Sequence, residues 1–158
     1  MNGLVWLRSD LRIDDNPALS IADNECEKIV CLYLLSEEEW KTHNNANVKL
    51  DFIIKNLSNL SKDLKKLNMP LIAASIKNFD SIPKQIAEFS KSNNISKCYW
   101  NNEFGVDEQE RDQKVQNMLE ISQIDYQFFD EQIVFKPGTL LTGQGKPFSV
   151  FTPFKKKW

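Results

Sequence analysis

The chain has 158 residues, 41% of them hydrophobic and 27% charged, with a formal net charge of −2 and a pI near 5.5. Such a length and apolar fraction suit one domain with a buried core and exclude a disordered tail, and the acidic balance argues against a self-sufficient nucleic-acid binder with a basic face. No apolar run approaches the roughly 18 residues that cross a bilayer, and the N-terminus lacks the basic start and apolar stretch of a secretory leader, so no membrane association and a cytoplasmic location are expected.

In chain order, Leu4 to Arg8 reads as a first strand, and it runs abruptly into "SDLRIDDNPAL", where Asp14 or Asp15 is expected to cap a helix with Pro17 in its first turn. Ile29 to Leu35, "IVCLYLL", is a second strand, and its near-continuous apolar character suits a strand covered on both faces. Leu50, Ile53, Ile54, Leu57, Leu60, Leu64 and Leu67 recur every three or four residues and predict a helix with Lys55, Lys62 and Lys66 in water. Pro70 to Ser75 is a third strand. Ile82, Ile86 and Phe89 mark a helix started by Asp80 and Pro83 and ended by Asn93 and Asn94. Lys97 to Asn101 is a fourth strand. The next helix is expected to open with Asp107 as its N-cap and Glu110 three residues on, with Val115, Met118 and Leu119 facing inward. Tyr126 to Asp130 completes a β-α alternation. That order predicts an α/β fold, an open five-stranded parallel sheet with helices on both faces, whose ligands sit beyond the carboxyl ends of the strands where strand order reverses.

Beyond Asp130 the texture changes. Three glycines, three prolines and no helical period predict an extended, turn-rich exit ending on Phe151, Phe154 and Trp158, large apolar groups with little left to cover them. The expected division is therefore residues 1–131 as the domain and 132–158 as the start of a linker. No G-x-G-x-x-G follows the first strand and no P-loop is present, and "TGQGK" at Thr142 to Lys146 reads as a turn. One histidine and scattered cysteines assemble no zinc site, and no serine sits in a nucleophile elbow. Cys26, Cys31 and Cys98 are expected to be reduced and structural. A nucleotide-type fold without a phosphate grip favours a ligand held by hydrogen bonds and stacking.

The stretch "VWLRSDLRIDDNPAL" resembles the opening of the photolyase and cryptochrome family, roughly W-F-R-x-D-L-R-x-x-D-N-x-A-L. Trp6, Arg8, Asp10, Leu11, Arg12, Asp15, Asn16, Ala18 and Leu19 match; Leu7 replaces the usual Phe, and Asp14 stands where many members have His. The resemblance continues through "EEWKTH" at Glu38 to His43, "YWNNEFGVDEQERD" at Tyr99 to Asp112, and "KPGTLLTGQGKPFSVFTPFKKKW" at Lys136 to Trp158. It implies the first domain of a class I photolyase and the start of its linker to an absent C-terminal helical domain that binds FAD. Such an enzyme repairs cyclobutane pyrimidine dimers in UV-damaged DNA by light-driven electron transfer from reduced FAD, and is expected to be a monomer. This segment alone would be inactive, its family role being to hold an antenna chromophore, most often methenyltetrahydrofolate.

The resemblance assigns cofactor binding to Glu108, Asp107 and His43. A pterin presents two parallel N–H donors that a carboxylate such as Glu108 accepts; the competing reading is an acid favoured in a helix's first turn by the macrodipole. Capping is the alternative task for Asp107, since many folate-type members carry an amide there. For His43 the alternative is an ordinary surface histidine, and Trp40 with His43 forms a matching W-x-x-H. Arg8, Asp10 and Arg12 are expected at the carboxyl end of the first strand, as paired charges that order the loop in preference to ligand contacts, with Arg8 and Asp10 as a buried pair. Lys155 to Lys157 reads as linker solubility in preference to DNA contact. A cryptochrome photoreceptor and a stand-alone pterin- or nucleotide-binding module are the rival readings, and the uncovered aromatics count against the second.

Overall fold

The structure, a computed structural model, describes residues 1–42 and 46–158. Its elements in chain order are β1 (Asn2–Leu7), α1 (Pro17–Glu25), β2 (Lys28–Ser36), α2 (Glu37–Thr42), α3 (Asn47–Lys66), β3 (Leu71–Ile76), α4 (Ile82–Ser92), β4 (Lys97–Asn101), α5 (Val106–Ile121), β5 (Asp125–Phe129) and α6 (Phe151–Lys157). One turn of 3-10 helix, Phe79–Ser81, leads into α4. The five strands form one parallel sheet in the order β3-β2-β1-β4-β5, the expected open α/β architecture.

Side chains alternate across the central strands, so each sheet face has its own core. Leu4, Trp6, Leu32, Cys98 and Trp100 meet Ile82 and Ile86 of α4 and Val115 and Leu119 of α5. Val5, Leu7, Cys31, Tyr33 and Tyr99 meet Ala18, Leu19 and Ala22 of α1 and Leu60 and Leu64 of α3. Helices thus cover both faces. The three cysteines are free thiols, and burial pushes Cys31 and Cys98 up to about 12, which keeps them protonated and inert.

Local details differ from the sequence expectations. Helix α1 is capped by Asn16, whose Oδ1 accepts from the Leu19 N–H at 3.1 Å, while Asp15 sits at φ 51° in the turn before it. Gly105 is the N-cap of α5, which makes Asp107 the second helical residue and removes its capping task. In α3, Leu60 and Leu64 are buried, but Ile54 lies outside the stripe and is 52% exposed. The exit segment is not extended throughout. "TGQGK" is the expected turn, closed by Thr142 N–H to Lys146 C=O at 2.8 Å with Gly145 at φ 72°, but Phe151–Lys157 then forms α6. Pro153 in its first turn needs no intrahelical partner, which permits a helix the residue pattern did not advertise. Phe151 and Trp158 are exposed, and Phe154 is half-buried against Phe148 and Phe151.

Candidate functional site

Strand order reverses between β1 and β4, and the carboxyl ends of these two strands are joined by the protein's own polar groups. Asn101, the last residue of β4, donates from Nδ2 to Asp10 Oδ2 at 2.6 Å and to Asn16 Oδ1 at 2.8 Å, and its Oδ1 accepts the Ala18 N–H at 3.1 Å. Arg8, just past β1, donates from Nη1 to both oxygens of Asp112 at 2.8 and 2.7 Å and from Nη2 to the Asn101 carbonyl. The anticipated Arg8–Asp10 ion pair does not form. Asp10 instead accepts the Arg8 backbone N–H at 2.8 Å, because the guanidinium reaches across to α5.

Arg111 completes a four-charge cluster. It donates from Nη2 to Glu103 at 2.9 Å and from Nε to Asp112 at 2.9 Å, while Glu103 lies 3.8 Å from Arg8 Nε. Two cations and two anions balance, which makes their burial tolerable. Both guanidinium groups also lie against the Trp6 ring, 4.5 and 4.9 Å from its centre, and Arg111 lies 5.0 Å from that of Phe79. Desolvation alone would raise the Glu103 carboxyl, but Arg8, the Ser9 hydroxyl and Arg111 outweigh it and hold the group below the usual carboxylate range.

Beside this cluster lies a crevice of about 340 Å³, walled by Trp6, Tyr33, Leu34, Trp40, Ile53, Phe79 and Ile82, with Arg8, Lys49, Glu103, Glu108 and Arg111 as its charged groups. Burial first, then Glu103, pushes the Tyr33 phenol up to about 12, so it stays a neutral hydroxyl there. The ammonium of Lys49 sits 5.7 Å from the centre of the Trp40 ring. Glu108, third residue of α5, folds back over Gly105, where an added Cβ would fall 1.9 Å from its Oε2. Among the described residues, the Glu108 carboxylate takes part in no hydrogen bond or ion pair. It is half-buried.

Asp107, one residue earlier, lines a separate cavity of about 380 Å³ with Glu38, Asp80, Glu110 and Lys114. Arg111 and Phe79 border both cavities. The expected pair of acids is therefore split between two concavities. His43 lies outside the described residues. Among the described residues no group of three or more His, Cys, Asp or Glu side chains is placed to hold a metal ion.

The sequence reading overlooked Arg111, Asp112, Glu103, Phe79 and Lys49. A signal existed for Arg111: it stands four residues before Val115 and eight before Leu119, on the buried stripe of α5, where a charge implies a buried partner.

The sequence model of the family described as DNA photolyase matches residues 3–158. The chain belongs to the DNA photolyase family. It is 36% identical over 155 residues to the deoxyribodipyrimidine photo-lyase of Vibrio cholerae, covering 98% of this chain but 33% of that protein. The chain thus spans about a third of the length of this photolyase relative. Among solved structures, a cryptochrome of Synechocystis sp. PCC6803 superposes with a TM-score of 0.80 at 22% identity, over 99% of this chain and 32% of that one. The photolyase of Sulfolobus tokodaii, solved with two FAD molecules, gives 0.74 at 22% identity, over 91% and 32%. These two likenesses establish the α/β fold of the chain.

Proposed function

We propose that this chain is the light-harvesting domain of a deoxyribodipyrimidine photolyase and that its crevice holds an antenna pterin, methenyltetrahydrofolate. The observation that carries the reading is Glu108: a carboxylate with no partner among the described residues, given room by the absent side chain of Gly105, in a crevice walled by Trp6, Trp40 and Tyr33. Two carboxylate oxygens suit two adjacent ring N–H donors, and aromatic and aliphatic walls suit a flat ring. The crevice volume falls at the small end of those that take drug-sized ligands. When bound, such a chromophore supplies near-ultraviolet or blue-light absorption. The chain's residues would bind and orient it and exclude water, a task served by Arg8 just past β1, Glu103 just past β4 and Arg111 within α5, locked by their own ion pairs. Asp107, in the neighbouring cavity, would act through its charge or through a more distal part of the ligand. His43 is proposed to lie close to the ring, on the strength of the resemblance.

In the whole protein, residues 1–131 would form the antenna domain and 132–158 the start of the connection to a C-terminal FAD domain. Light-driven electron transfer from reduced FAD to a cyclobutane pyrimidine dimer in UV-damaged DNA would take place in that domain. Titration of this chain with methenyltetrahydrofolate, followed by absorbance and fluorescence, tests the site. Weak binding is expected, because part of the pocket would come from the C-terminal domain, and Glu108→Gln should weaken it about tenfold, the equivalent of ~1.4 kcal/mol. Binding unchanged by Glu108→Gln would overturn the site. Photorepair by the full-length protein would distinguish photolyase from a cryptochrome photoreceptor.

A further inference from the structure

The aromatic core under the crevice has a direction built into it. Trp6 lines the crevice. Its ring centre is 6.0 Å from that of Trp100, in an edge-on arrangement, and Trp100 stacks on Tyr126 at 5.6 Å. Tyr126 is partly exposed and donates its phenolic O–H to Glu120 Oε1 at 2.7 Å. Three oxidisable rings in van der Waals range therefore link the crevice to the surface, and the last one has a carboxylate ready to accept its proton.

The surroundings of each ring differ in the way a relay requires. Trp6 carries two guanidinium groups against its ring, and these disfavour a positive charge there. The ring neighbours of Trp100 are Trp6, Tyr126 and Phe128, and its Nε1–H is buried with no acceptor among the described residues. A Trp100 radical cation therefore cannot shed its proton and must pass its charge on. At Tyr126 the proton can leave, which traps the oxidation as a neutral radical.

We propose that Trp6, Trp100 and Tyr126 form a one-electron relay that carries an oxidising equivalent from the crevice to the surface, with Glu120 as the terminal proton acceptor. Trp6 would give one electron to a photoexcited heteroaromatic ring held in the crevice, the one-electron oxidant of the sequence. Trp6 is refilled from Trp100, and Trp100 from Tyr126, as the phenolic proton of Tyr126 passes to Glu120. Both tryptophans are restored, and the products are the reduced ring, a tyrosyl radical and a protonated carboxyl. Only the origin of the oxidant rests on the chromophore reading; the relay itself rests on ring geometry and proton acceptors.

The test triggers oxidation without a chromophore. With Trp40→Phe and Trp158→Phe in place, Trp6 and Trp100 are the remaining tryptophans, and an ultraviolet laser flash photoionises them directly. Transient absorption should show the tryptophan radical band decay as the tyrosyl band rises. Tyr126→Phe, which removes a single hydroxyl, should abolish that rise, and Glu120→Gln should slow it. Tyr99→Phe should leave it unchanged, because Tyr99 packs in the core on the opposite face of the sheet. A tyrosyl rise that survives Tyr126→Phe, or that disappears with Tyr99→Phe, overturns the relay, and an unchanged rate in Glu120→Gln overturns Glu120 as proton acceptor. Failure of folate titration would leave all of these outcomes intact, so the two readings fail separately.

Discussion

Asn101 uses its side-chain amide entirely within the protein: two N–H bonds to Asp10 and Asn16 and one acceptor bond from Ala18. Asn101→Asp would set a second carboxylate against Asp10 in a buried site, with a loss of about 3 kcal/mol and a fall in Tm of roughly 10 °C, readable by calorimetry. Glu103 makes a prediction about pH. Its carboxyl is held below the usual range in the folded state, so the stabilisation it contributes is complete above the unfolded value of about 4.3 and is lost as pH falls through the lower folded value. Thermal melts of the parent should therefore steepen their decline in acid, between about pH 5 and 3. Glu103→Gln should flatten that decline while costing about 3 kcal/mol at neutral pH, since two buried guanidinium groups lose a counter-charge. Gly105 separates binding from folding. Its φ of −66° is open to alanine, so Gly105→Ala should cost only about 1 kcal/mol, the loss of a better N-cap, while displacing the Glu108 carboxylate and weakening folate binding in the same titration.

Helix α3 shows what its own pattern leaves open. Leu64 is fully buried and Ile54 half exposed, although both belong to the same run of threes and fours. Leu64→Ala should cost about 3 kcal/mol and Ile54→Ala less than 0.5 kcal/mol in denaturant titration. Periodicity located the helix and the sheet's alternation because strands and long helices bury whole faces, and that is what hydrophobic spacing reports. It was silent about α2 and α6, six and seven residues long, in which too few turns exist for a period to register. Cap choice at α1 was ambiguous for a chemical reason: Asp14, Asp15 and Asn16 are all good caps in sequence, and the hydrogen bonds that Asn16 accepts from Asn101 and donates to the Arg12 carbonyl, not propensity, favoured the third. At α5 the reading misplaced the cap by two residues, and the buried Arg111 and Asp112 escaped it because their burial depends on Arg8 and Glu103, remote in sequence and adjacent only in the fold. Resemblance supplied Glu108, and geometry then set it apart from Asp107.

Across the whole molecule, apolar surface gathers in the segment after β5. Val134 is 76% exposed, Phe151 71% and Trp158 60%. Patches of this kind promote association. Phe151→Ser with Trp158→Ser should therefore reduce self-association in light scattering at high concentration without lowering Tm, because neither side chain belongs to the two cores. The strand order has a different consequence, one that concerns synthesis. β1 sits at the centre of the sheet, between β2, which follows it closely, and β4, which begins only at Lys97 although β1 ends at Leu7. On a ribosome adding about 5 to 20 residues per second, β1, β2 and β3 emerge and can pair roughly 1 to 5 seconds before β4 is complete. During that interval one flank of β1 is an open edge and Trp6 has no Trp100 to cover it. The nascent chain is thus most vulnerable to aggregation between the emergence of Ile76 and that of Asn101, and a chaperone that shields apolar strands would find its substrate in that window.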